Sequence, residues 1–131
     1  MKITLSTIIV DDQPKALAFY TGTLGFVEKV NIPMGPVSWI TLASPEQPDG
    51  AQISLEPAGF PFVQEYQRAL KDNGVPLTAF AVADVQAEHD RLTAAGVAFK
   101  SPPRKGEGTT PTTAMFDDRC GNWIMIYEDA K

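Results

Sequence analysis

The chain opens on an apolar run, residues 3–10, whose Ile, Thr and Val content predicts a strand. Asp12 is then a good helix N-cap and Pro14 suits an early helical position. Ala16, Leu17, Phe19, Tyr20 and Leu24 recur at helical spacing up to a stop at Gly25. Strand-like segments follow at 26–32, 37–43 and 51–56, separated by PMGP and SPEQPDG, both dense in turn formers. After PAGFP, residues 62–73 predict a short amphipathic helix with Phe62, Val63, Tyr66 and Leu70 on one side and Gly74 at its end. The first pattern then returns. A strand at 77–82 leads to a helix at 85–95, capped by Asp84 and stopped by Gly96, and then to strands at 97–100, 112–117 and 123–128.

The repetition is visible in the letters: VDDQPKALAFYTGTLGF from Val10 lies over VADVQAEHDRLTAAGVAF from Val82 once one residue is inserted. A displacement of about 72 positions is more than half the chain, so it marks two modules rather than a solenoid. The expected fold is α+β, with two tandem β-α-β-β-β modules. They form a single domain over 1–131: module one at 1–57, a linker and short helix at 58–75, and module two at 76–131. The stretch 101–113, SPPRKGEGTTPTT, is the longest loop candidate and reads either as a mobile lid or as a disordered connector.

Composition narrows the function. A length of 131 residues with 44% hydrophobic and 21% charged positions is ordinary for one globular domain. The net charge of −5 leaves no basic stripe for a phosphate backbone, so nucleic acid is not an expected partner. The single cysteine, Cys120, excludes an intrachain disulfide and a cysteine-rich zinc site. The N-terminal apolar run is too short and too interrupted for a signal peptide or a membrane span, so a cytoplasmic location and no membrane partner are expected.

The paired modules, the phrase VDDQPKALAFYTGTLGF and the closing FDDRCGNWIMI resemble the vicinal oxygen chelate superfamily, the fold of glyoxalase I, extradiol dioxygenases and bleomycin-resistance proteins. The likeness covers essentially the whole chain. It implies a curled mixed sheet around a cleft. In metal-dependent relatives a divalent ion sits there on His and Glu side chains from four strands and chelates two substrate oxygens. Counting from the matched motifs, those positions fall here on Leu5, Gln52, Leu77 and Met125. Leucine offers no donor, an amide oxygen is a weak neutral ligand and a thioether prefers soft ions. The metal-ligand positions are not retained, no cofactor is expected, and the shared metal-dependent catalysis is not supported.

Period-two alternation then lists the lining of the cleft. Leu5 and Thr7 line it from the first strand, and Gln52, Ser54 and Glu56 from the strand at 51–56. Leu77 and Ala79 follow from the strand at 77–82, and Trp123, Met125 and Tyr127 from the last; Trp39 and Met115 join from middle strands. These side chains either form an apolar, aromatic pocket for a small ligand or meet one another as filled core. The leading expectation is a metal-free, bleomycin-resistance-like binding protein. The resemblance also implies a homodimer. The alternatives are an enzyme of the superfamily with a non-standard site, using Glu56 or Tyr127 in proton transfer, and a non-catalytic structural or regulatory dimer. His89 reads as a solvated helix-surface residue, and Cys120 as a turn residue with no group to activate it.

Overall fold

The computed structural model describes residues 1–129. The chain falls into two compact units, Met1–Glu65 and the part from Tyr66 onward.

In the first unit, β1 (Leu5–Val10) leads into α1 (Gln13–Ala18), where Asp12 caps by accepting from Lys15 N at 3.0 Å. The helix does not run on to Leu24 as a regular α-helix. It continues as a π-helical turn, Phe19–Thr23, closed by Leu24 N donating to Phe19 O. β2 (Val27–Met34), β3 (Val37–Ala43) and β4 (Gln52–Pro57) complete a four-stranded sheet in the order β1-β4-β3-β2. β1 and β4 are parallel and the other pairs antiparallel. Ile8, Val10, Ile40, Leu42 and Leu55 share one face by alternation and are buried, as are Ala16, Phe19 and Tyr20 of the helical segment. That is the core of this unit.

The sheet is forked. β3 and β4 pair only from Ala43↔Gln52 to Thr41↔Ser54; beyond that, β3 continues with β2 and β4 continues with β1. The groups that a ladder would have joined meet the amide of buried Gln13 instead. Its Nε2 donates to Ser38 O and Leu55 O, each at 2.8 Å, and its Oε1 accepts from Ser38 N at 2.9 Å. One side chain thus satisfies three backbone groups that the divergence would leave unpaired.

α2 (Pro61–Asp72) crosses the boundary between the units. In the second unit, β5 (Thr78–Val82), α3 (Val85–Ala94), β6 (Thr113–Asp117) and β7 (Trp123–Glu128) follow, with the sheet order β5-β7-β6. Asp84 caps α3 by accepting from Ala87 N. Phe116, Ile124 and Ile126 of the sheet and Val85 and Leu92 of α3 are buried and form this unit's core. The segment 97–100, a full strand by its sequence, makes only fragments of an antiparallel ladder. Asp117 N donates to Ala98 O, Lys100 N donates to Met115 O, and a single bridge joins Phe99 to Phe116. Pro102 and Pro103 follow after Ser101 and have no N–H to extend it.

The loop 101–113 is tied at its base by reciprocal bonds between Arg104 and Thr113. Within it, Gly106 N donates to Thr112 Oγ1 and Thr110 N to Glu107 O. His89 is not a freely solvated residue. Its ring packs on Phe99 at 4.4 Å between centroids, and its Nδ1 lies 3.1 Å from Asp90 Oδ1. Hydrogen bonds from His89 and Gln86 hold the Asp90 carboxyl below its ordinary range.

The turn before β7 is built on a buried carboxylate. Asp118 Oδ1 accepts from Cys120 N at 2.8 Å and Asn122 N at 3.0 Å, and Oδ2 accepts from Asn122 Nδ2 at 2.8 Å. From α2, Gln67 Nε2 donates to Cys120 O and to Asn122 Oδ1. Gly121 has φ +96°, and a Cβ there would stand 2.7 Å from Gln67 Nε2, so both backbone and space demand glycine. Cys120 is buried in this turn.

Candidate functional site

Each sheet has a second face, the one turned away from the α1 or α3 side, and the residues expected at the site lie on these faces. In the first unit, register sets Leu5 beside Gln52, Thr7 beside Ser54 and Ile9 beside Glu56. Ser54 in turn lies beside Thr41, and Trp39 beside Ile32. In the second unit, Ala79, Met125 and Met115 form one cross-strand row, and Ala81, Tyr127 and Thr113 the next. Leu77 precedes β5 and is joined to β7 by its N–H donating to Trp123 O. The expected residues are thus gathered as two sets, one on each sheet.

The two faces differ in character. On the first, Thr7 Oγ1 and Ser54 Oγ are 3.2 Å apart, and Leu5, Ile32, Met34 and Val37 are exposed apolar side chains, Met34 to 61%. On the second, Trp123 is fixed by α2. Its Nε1 donates to Lys71 O at 3.1 Å, and Lys71 Nζ stands 4.3 Å from the ring centroid while pairing with Asp117 at 3.0 Å. A cation over an indole, held by its own carboxylate, anchors one end of the face. At the other end Tyr127, Glu128 and Asp129 border a hollow of about 570 Å³ against Gly106 and 108–112.

The positions that would chelate a metal do not fit one. Leu5 and Gln52 are direct cross-strand neighbours, so the first sheet offers one amide oxygen beside a hydrocarbon. Leu77 and Met125 offer a hydrocarbon and a thioether, a set unsuited to a hard divalent ion. Among the described residues, no three His, Cys, Asp or Glu side chains are grouped to hold a metal elsewhere.

Two residues that sequence reasoning passes over belong here. Gln13 holds the fork open, and Thr41 sits at its vertex, 3% exposed. Thr41 shares the parity of Trp39, but only the register with Ser54 brings the two hydroxyl-bearing residues side by side.

The family model for the Glyoxalase/Bleomycin resistance protein/Dioxygenase superfamily matches residues 2–126. The chain belongs to this superfamily. Within it, the chain is similar to the uncharacterized protein YurT of Bacillus subtilis (strain 168), at 48% identity over 98% of this chain and 99% of that one. Among solved structures, UcmS2 matches with a TM-score of 0.82 at 28% identity, covering 98% of each chain. TnmS3, an antibiotic binding protein from Streptomyces sp. CB03234, matches with a TM-score of 0.73 at 26% identity, covering 99% of this chain and 97% of that one. The superfamily's paired-module plan accounts for the duplicated pattern, and its mixed α+β sheets are those described above. Among the described residues, no helix is long and apolar enough to cross a membrane.

Proposed function

We propose that this protein is a metal-free binding member of the superfamily that takes up a small, mainly apolar or aromatic molecule on the sheet faces turned away from α1 and α3. The observation that carries this reading is the substitution of hydrocarbon, amide and thioether groups at the chelate positions, on a first-sheet face that also carries Trp39 and a second-sheet face that also carries Met115 and Tyr127, each considered by itself. Such a lining suits a flat organic molecule, with a few polar points to orient it. The likeness to an antibiotic binding protein lends the same direction. We place the protein in the cytoplasm as a homodimer. Exposed Ile32, Met34 and Val37 along the edge strand β2 and its neighbour favour association, and light scattering in solution is expected to give twice the 14.2 kDa chain mass. A chain that stays monomeric at micromolar concentration would remove the dimer from this account.

Thermal-shift screening in excess EDTA with one- to four-ring aromatic compounds tests the binding role. A compound at a hundred times its Kd adds about 2.7 kcal/mol when it binds only the folded state, a rise of several degrees. Stabilisation that appears only after a divalent metal is restored would contradict the metal-free reading.

A further inference from the structure

The fork in the first sheet leaves one group unanswered. Thr41 is almost wholly buried, yet its Oγ1 makes no hydrogen bond with any described group. Burying a hydroxyl without a partner is unfavourable, and natural structures keep such groups where something else answers them. Thr41 is also the last β3 residue to pair with β4, and its cross-strand neighbour Ser54 is already engaged with Thr7. Three hydroxyl-bearing residues therefore line up across three adjacent strands, Thr7, Ser54 and Thr41, and the one at the vertex has spare hydrogen-bonding capacity.

Beyond the vertex the strands diverge, so Trp39 on β3 and Glu56 on β4 have no cross-strand partner in each other. Both lie on the same face as Thr41 by alternation, and both are half-buried. An indole on one arm offers a flat apolar wall, and a carboxylate on the other disfavours an anion. We infer that the Thr41 hydroxyl at the fork, with Ser54 and Thr7 beside it, is a polar subsite that receives the carbonyl oxygen of a neutral aromatic ketone or quinone while the ring lies along Trp39. This deepens the binding role proposed above and rests on it. The hydroxyl is buried in the unliganded protein, so a ligand reaches it only by displacing a neighbouring side chain.

The test uses α-tetralone, a bicyclic aryl ketone, and tetralin, the same skeleton without the oxygen, titrated into the full chain and into Thr41→Val and Thr41→Ser. The wild type is expected to bind tetralone about fivefold to tenfold more tightly than tetralin, the difference that one net hydrogen bond makes. Thr41→Val, which keeps the shape and loses the hydroxyl, is expected to bind both equally. Without ligand, its melting temperature should be unchanged or a few degrees higher, because the unpaired group is gone. Thr41→Ser should keep the preference. A preference that survives in Thr41→Val, equal binding of both compounds by the wild type, or a lower melting temperature for Thr41→Val would each overturn the subsite while leaving the binding role standing. Failure of the wild type to bind either compound at millimolar concentration would overturn the subsite, while the binding role stands or falls on the aromatic panel.

Discussion

Replacing Asp118 by alanine is expected to lower the midpoint of thermal unfolding by about 10 to 15 °C, corresponding to a loss of about 3 to 5 kcal/mol. The carboxylate is fully buried and accepts from three N–H groups, two of backbone and one of Asn122. Alanine would leave all three in an enclosed site, where each lost partner costs about 1 to 3 kcal/mol before relaxation. The second layer would then loosen, because Gln67 donates to Asn122 Oδ1 and reaches the turn from α2. An asparagine in place of the aspartate would keep one acceptor oxygen but turn an amide N–H₂ toward a donor, so Asp118→Asn should fall between wild type and Asp118→Ala. Differential scanning calorimetry of the three proteins gives the order. A loss below about 1 kcal/mol for alanine would show that the turn holds β7 by other means.

Gln13→Ala should lower stability by about 2 to 4 kcal/mol, the cost of abandoning two carbonyls and one N–H in a buried gap. The prediction is specific because the obvious alternative makes a different one. If Gln13 were an ordinary first-turn residue of α1, alanine would be nearly neutral or slightly favourable for the helix. Gln13→Glu should be at least as damaging, since a carboxylate would face the carbonyls of Ser38 and Leu55 at the positions where the amide now donates. Chemical denaturation with the midpoint and slope recorded separately distinguishes lost bonds from a changed unfolded state.

The parts of the fold that are legible in the sequence are those where one periodicity dominates. The last strand, Trp123–Glu128, runs over the residues expected of it, because alternation continues without a break from the turn to Glu128. The caps at Asp12 and Asp84 hold for the same kind of local reason, a short acceptor placed before a helical repeat. The π-helical turn at Phe19–Thr23 leaves no mark, since its apolar spacing fits a regular helix equally well. The segment 97–100 reads too strongly as a strand, because four residues of strand character say nothing about how many ladder bonds the following prolines permit. Which residues share a sheet face is readable from parity, which is why Leu5, Thr7, Gln52, Ser54 and Glu56 fall together on β1 and β4. The fork is not readable. Register between β3 and β4 is a tertiary fact, and without it Gln13 reads as a surface polar residue and Thr41 as one more strand threonine.

The central claim is that these faces bind an apolar or aromatic molecule without a metal. The four methionines provide the most direct measurement. With ¹³C-methyl methionine in the full chain and EDTA in excess, Met115 and Met125, paired on the second sheet, are reporters, and fully exposed Met1 is the internal control. Titration with an aromatic panel is predicted to move the Met115 and Met125 methyl signals saturably while Met1 stays fixed. Signals that never move, or that move only once Mn²⁺ or Zn²⁺ is supplied, would contradict the account.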